Sequence, residues 1–132
     1  MIGDNAASAI LQRALDGSWQ KQRAIANNIA NAETPGYKAI KVSFEESLDQ
    51  EINKLAANME TKEEFYNGLE EIKNADIGVF SDYSTSERAD GNNVNLDAEN
   101  IEMAKVQLQY SYLTRSMTDM FTRLRYAISG GK

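Results

Sequence analysis

The chain has 132 residues, a formal net charge of −6, and neither cysteine nor histidine. Without these two residue types it has no disulfide bonds, no thiolate or imidazole metal site and no thiol nucleophile, and no side chain that normally titrates near neutrality. Phe, Leu, Ile and Val together contribute 27 residues, or 20% of the chain, which is little for a large private core. We therefore expect no enzyme, no cofactor and no metal, and helices that bury narrow apolar stripes.

The acidic charge is concentrated in the middle of the chain. Residues 45–90 carry four basic and thirteen acidic groups, whereas residues 1–44 and 91–132 have net charges of +2 and +1. An acidic middle argues against binding to nucleic acid or directly to anionic lipid, since both depend on lysine and arginine. No basic segment followed by an apolar run opens the chain, and no stretch reaches membrane-spanning length, so we expect no cleaved signal peptide.

A first long helix is predicted from about Asn5 to Asn31, because apolar residues recur every three or four positions and alanine is frequent. Pro35 and Gly36 should end this segment in a type II turn. The predicted single domain, residues 1–132, thus divides into an N-terminal helix (1–34), a middle part (35–95) and a C-terminal helix (96–132).

The middle part is less regular. Residues 37–42 have the pattern of a short extended segment, and the series that begins at Phe44 and includes Leu48 predicts a shorter central helix. A further apolar series from Phe65 to Ile72 favours another helical segment. Residues 75–95 lose all periodicity and predict an extended, loop-rich arm.

The last segment has the clearest pattern, an apolar seam with alternating spacings of three and four residues. Asp97 is the expected N-cap, and Gly130 and Gly131 the expected helix stop. We predict an all-α fold in which the two terminal helices form an antiparallel, coiled-coil-like bundle. Its proposed assembly seam consists of Leu11, Leu15, Ile25, Ile29, Met103, Val106, Tyr110, Leu113, Met117, Met120, Leu124 and Ala127.

Two other features have a plain interpretation beside a functional one. The segment from Asp90 to Asp97 resembles a calcium loop, but no register supplies the required oxygen ligands, so a tight turn before a capped helix is the better interpretation. Asn27, Asn28 and Asn31 lower helix propensity within one turn. They mark either fraying before Pro35 or amides that bond to neighbouring subunits.

The residues from Ala26 to Ala39 closely resemble the N-terminal signature of the bacterial flagellar rod and hook protein family. The pattern A-N-N-I-A-N-x-x-T-P-G-Y is matched by the signature-turn residues Asn27, Asn28, Asn31, Thr34, Pro35, Gly36 and Tyr37. The block from Asp90 to Glu99 and the helix after it are similar to the family's proximal rod subunits, whereas residues 45–89 match no motif. The resemblance implies a structural subunit that assembles helically into the rod of the basal body, outside the cytoplasmic membrane.

The resemblance also implies partners: other copies of the chain, other rod and basal-body proteins, and the gate of the flagellar type III export apparatus. Early export substrates of this family carry a motif of Phe and an apolar residue four positions later, which Phe44 and Leu48 match. Phe65 and Leu69 match it equally well, and spacing alone also fits two neighbours on an amphipathic helix. A small helical export chaperone or adaptor remains the alternative function.

Overall fold

The computed structural model describes residues 2–85 and 88–131. In chain order its elements are α1 (Ile2–Ala30), β1 (Ile40–Ser43), α2 (Glu45–Ala57), α3 (Lys62–Lys73), β2 (Gly78–Ser81) and α4 (Leu96–Ile128). The fold is thus mostly helical, as predicted, but strictly all-α is wrong because two strands pair.

Helices α1 and α4 lie side by side in opposite directions. The side chain of Asn92, just before α4, hydrogen-bonds the backbone oxygen of Asn31, just after α1, at 2.9 Å. Further along α4, Leu113 packs on a core cluster that contains Ala9 and Ala14 from the first half of α1. The beginning of one helix therefore lies near the end of the other. Regular coiled-coil packing between them stays a prediction.

The main apolar core lies where α2 and α3 pack against the first half of α1. Its buried members are Ala9, Ala14, Leu48, Leu55, Phe65, Leu69, Ile72 and Ala75. Thr61 and Glu64 close a reciprocal capping box at the start of α3, which fixes the turn between α2 and α3. Both apolar series in the middle of the chain therefore form helices.

The two strands form an antiparallel ribbon that joins distant parts of the middle segment. Ile40 pairs with Ser81, and Val42 pairs with Val79. β2 lies within residues 75–95, for which the sequence predicted an extended, loop-rich arm and no paired strand. Four residues whose partner strand lies almost forty positions away give no local periodic signal, so the pairing was not predictable from that segment.

The boundaries of α4 follow capping chemistry. Asn95, not the predicted Asp97, is the N-cap, and its side chain accepts a hydrogen bond from the backbone N–H of Ala98. Asn and Asp cap equally well, so the correct choice depended on where the preceding loop ended. At the other end, Gly130 and Gly131 have positive φ angles, as expected for a helix stop.

Because Gly17 has no side chain, it leaves a notch in the surface of α1, and the ring of Phe44, the residue just before α2, fits into this notch. A Cβ atom built on Gly17 would lie 2.4 Å from that ring, and Phe44 is only 2% exposed. This distance is far below van der Waals contact, so only glycine admits the ring here. The close approach fixes where β1 turns into α2.

We expect Gly17→Ala to destabilise the protein by about 1–3 kcal/mol, because the added methyl group pushes Phe44 out of its buried position. This loss should exceed the gain of about 1 kcal/mol that alanine brings inside a helix. Urea unfolding followed by circular dichroism measures the difference. Gly3→Ala is the matched control, since its Cβ would meet nothing within 4 Å. Equal stability changes in the two variants would contradict the notch.

Candidate functional site

The signature turn has the geometry that its Pro-Gly pair predicts. Gly36 has a φ of 73°, and the N–H of Tyr37 donates to the carbonyl oxygen of Thr34 at 3.3 Å. A positive φ at the third residue with proline before it defines a type II turn. The N–H of Gly36 also donates to the carbonyl oxygen of Asp90 at 2.8 Å, which ties this turn to the loop before α4.

Asn28 is the centre of the signature, and it is fully buried. Its Oδ1 accepts hydrogen bonds from the Tyr37 hydroxyl at 3.0 Å and from the Ile40 N–H at 2.8 Å. Its Nδ2 donates to the Ile40 carbonyl at 2.9 Å. One amide therefore joins the end of α1 to the turn and to the start of β1, within a single chain.

The other two signature asparagines hold the helix end itself. Asn31 donates through Nδ2 to the Asn27 carbonyl at 2.8 Å, and its Oδ1 accepts from the Thr34 hydroxyl at 3.1 Å. The Asn27 carbonyl thus accepts a second bond beside the one from the Asn31 N–H, and the Thr34 hydroxyl links the turn to the last helical residues. In the single chain these amides bond to neighbouring groups of the helix end and the turn. Bonding to neighbouring subunits stays a prediction.

Asn92 and Asn93 are site residues that the sequence reasoning missed. The Asn92 amide donates to the carbonyl oxygens of Asn31 at 2.9 Å and Thr34 at 2.8 Å, which brackets the signature turn from the other end of the chain. Asn93 accepts from the Ala39 N–H at 2.7 Å. Three asparagines within four residues, at 92, 93 and 95, were the available signal, because amides can pair with exposed backbone groups in a distant turn.

Asn28, Asn92 and Asn93 form what we call the amide cluster, and charged side chains lie near it. Lys38 donates from Nζ to the Gly91 carbonyl at 2.5 Å, and Arg88 donates to the Ala32 carbonyl. The carboxylate of Glu99, in the first turn of α4, is buried at 3.8 Å from the Lys41 ammonium. Burial, with a smaller contribution from the charge of Glu99, raises the pKa of Tyr37, which further favours the protonated hydroxyl that donates to Asn28.

Most of the predicted seam residues are buried or half-buried in the single chain, in which α1 and α4 are in contact. Buried members are Ile25, Val106 and Met120; half-buried members are Leu11, Leu15, Ile29, Met103, Tyr110, Leu113, Met117 and Leu124; only Ala127 is exposed. The seam thus provides packing within the chain. Its part in contacts between subunits stays a prediction.

Apolar side chains on the opposite face of α4 are exposed in the single chain. Ile101, Leu108 and Tyr112 are 58%, 74% and 72% exposed, and their spacings of seven and four residues place them on one face. We call these three residues the outer stripe. An exposed apolar row of this kind is typical of an interaction surface.

Both candidate export motifs are buried in the folded chain. Phe44 and Leu48 are 2% and 6% exposed, and Phe65 and Leu69 are 4% and 6% exposed. Each pair lies in the core between α1, α2 and α3. A partner that reads either pair must therefore bind the chain before it folds.

Within residues 2–85 and 88–131, no group of three or more acidic side chains is arranged to hold a metal ion. In the same part of the chain, no helix combines the length and apolar character needed to cross a membrane.

We expect Asn28→Ala to lower the free energy of unfolding by at least about 2 kcal/mol. The variant leaves the Tyr37 hydroxyl and the N–H and carbonyl of Ile40 without their partner, and each buried unpaired group costs about 1–3 kcal/mol. Asn27→Ala is the control, since Asn27 is exposed and should change stability by less than about 0.5 kcal/mol. Urea unfolding of both variants tests the prediction, and a loss of the same size in both would refute it.

Comparison with known proteins finds a matching family model and several relatives. Residues 5–38 match the family model described as "Flagella basal body rod protein". The flagellar basal body rod protein FlgB of Bacillus subtilis is 38% identical over 122 residues, which cover 92% of each chain. FlgB of Borrelia hermsii is 33% identical over 90% of this chain and 93% of its own, and FlgB of Salmonella typhimurium is 25% identical over 96% of each.

These relatives extend over almost the whole chain, including the acidic middle that matched no motif in the sequence. The match thus covers the signature turn, the amide cluster and both long helices together. The chain belongs to the FlgB family of flagellar basal body rod proteins.

Proposed function

We propose that the chain is a structural subunit of the proximal rod, which assembles helically through the outer faces of its terminal helices after export by the flagellar type III apparatus. The proposal rests first on family membership, since the relatives are named as rod proteins of the flagellar basal body. How copies join and how the chain is exported are inferred from which apolar side chains are exposed and which are buried in the folded chain.

The outer stripe carries the proposal. The seam side of α4 is covered by α1, so this helix has no further need of apolar residues for packing within the chain. Leu108 and Tyr112 nevertheless expose about three-quarters of their surface. Covering such residues stabilises an assembly by about 25 cal/mol per Å² of apolar area removed from water.

The dimensions of the helix pair suit a stacked assembly. At 1.5 Å per residue, α1 and α4 are about 43 and 50 Å long, and they run beside each other in opposite directions. The outer face of α4 is free, whereas α2 and α3 cover the first half of α1. Copies that pack side by side on the free helix surfaces form rings or helical stacks.

Export in the unfolded state is consistent with the burial of Phe44. Its ring fits into the notch at Gly17 once the chain has folded, and Leu48 joins the core. An export gate can contact these two side chains only before that packing forms. In this proposal the same residues act twice, first as an export signal and later as core.

We expect the double variant Leu108→Ser/Tyr112→Ser to fold normally but to leave the rod. The free energy of unfolding should change by less than about 0.5 kcal/mol, because both side chains are exposed. Basal bodies purified from cells that express the variant should lack the protein, and the cells should not swim. Tyr83→Ser, which removes an aromatic ring that is 74% exposed in the loop after β2, is the control and should assemble. Normal amounts of the double variant in basal bodies would overturn the assembly surface.

Three variants separate export from packing. We expect Phe44→Ala/Leu48→Ala to block secretion, and Gly17→Leu to permit secretion while preventing assembly, because the second variant displaces Phe44 from its notch but keeps the motif. Phe65→Ala/Leu69→Ala should behave like Gly17→Leu, since it also removes core contacts only. Immunoblots of cytoplasmic and secreted fractions give the result.

The comparison among these variants decides between the two roles. If Phe44→Ala/Leu48→Ala is secreted as well as Gly17→Leu, Phe44 and Leu48 have a packing role alone. If only Phe65→Ala/Leu69→Ala fails to be secreted, the second pair is the export signal.

A further inference from the structure

The last turns of α4 form an apolar surface separate from the outer stripe. Phe121 and Ile128 are 54% and 81% exposed, and with the half-buried Leu124 they line a shallow depression. The depression is completed by Thr118, Thr122 and Arg125. We call these six residues the terminal patch.

The part of α4 that includes the terminal patch has more basic than acidic residues. From Met103 to Gly131 the chain has four basic residues, Lys105, Arg115, Arg123 and Arg125, against the single acidic Asp119. Lys105 pairs with Glu102 at 3.0 Å. Among the residues that the structure describes, the three arginines form no ion pair.

The opposite combination occurs on the connection between α2 and α3. Residues 45–73 carry nine acidic and three basic groups, a net charge of −6. Near the connection, Met59 and Tyr66 are 54% and 53% exposed, and the exposed carboxylates of Glu60 and Glu63 lie beside them with one lysine, Lys62. We call these five residues the hairpin tip. It is apolar and acidic, whereas the terminal patch is apolar and basic.

We infer that the terminal patch of one copy docks on the hairpin tip of a second copy. Both surfaces remain exposed in the single chain, so their apolar groups are not covered from within it. A second copy supplies the matching charge for both, because every copy carries one patch and one tip. Opposite charges across an interface favour the correct partner and orientation more than they add raw affinity.

The two surfaces differ, so the contact is head to tail. The pair so formed still offers one free patch on one copy and one free tip on the other. Unless these two meet across a two-fold axis, further copies add to give a ring or an open helix. This inference deepens the proposed rod function and rests on it, since it names the surfaces by which neighbouring copies recognise each other.

Because the sequence has no cysteine, the introduced cysteines are the only ones in the chain, and a disulfide between two copies can be assigned to them. Cells co-express two full-length variants with different epitope tags, Ile128→Cys and Met59→Cys, and isolated basal bodies are oxidised. We expect a disulfide-linked dimer that carries both tags. Cells with only one of the two variants should give no dimer, and Tyr83→Cys with Met59→Cys is the matched pair of exposed sites that should give none either.

Charge reversal then tests the recognition itself. Arg123→Glu/Arg125→Glu on the Ile128→Cys copy should lower the yield of the mixed dimer about fivefold or more, and so should Glu60→Lys/Glu63→Lys on the Met59→Cys copy. Combining the two reversed copies should restore the dimer. A merely structural effect of either change would not be rescued in this way.

Two results overturn the inference while leaving the rod function intact. In the first, the protein is present in basal bodies but the Ile128→Cys and Met59→Cys copies give no mixed dimer. In the second, Ile128→Cys cross-links to itself or to a different basal-body protein. Absence of all variants, together with the unmodified chain, from basal bodies would instead contradict the proposed function.

Discussion

The buried asparagine amides determine how the rest of the chain is arranged. Asn28 and Asn92 are fully buried and Asn93 nearly so, and each bonds to backbone groups in a different part of the chain. A buried amide without partners would cost several kcal/mol, whereas a fully bonded one favours a single arrangement. Asn92 reaches the end of α1 from the start of α4, and Asn93 reaches the start of the sheet. The two helices are therefore held side by side in opposite directions at this end of the molecule.

That constraint decides which faces of α4 are free. Once the start of α4 is fixed beside the end of α1, its seam faces α1 along its length, and Val106 and Met120 become buried. The opposite face remains uncovered, since α2 and α3 pack against α1. A helix with apolar residues on two sides can satisfy only one of them inside so small a fold. The other side is available to a partner, which connects the packing of the monomer to the proposed assembly.

Local patterns predicted the parts of this structure that depend on neighbouring residues. The spacings of apolar residues located α1 and α4, and Pro35 with Gly36 located the turn between α1 and β1, because periodicity and backbone restriction act within a few positions. Local patterns did not predict the features that depend on residues far away in the sequence. β2 exists because β1 lies beside it, and the role of Asn92 appears only when its two acceptors, the carbonyls of Asn31 and Thr34, are brought near. The need for glycine at position 17 likewise becomes clear only when the ring of Phe44 is seen to pack against it.

The distribution of charge is the step that links one subunit to many. A net charge of −6 makes copies of the chain repel one another when they come close, because salt screens charges that are more than about 8–10 Å apart at physiological ionic strength. The sequence separates its charges, however, with acidic groups on α2, α3 and the residues between them, and arginines near the end of α4. Two copies that approach with these regions facing each other attract, while other orientations are disfavoured. In the proposed assembly, repulsion limits random association, and the separated charges together with exposed apolar residues favour the head-to-tail contact.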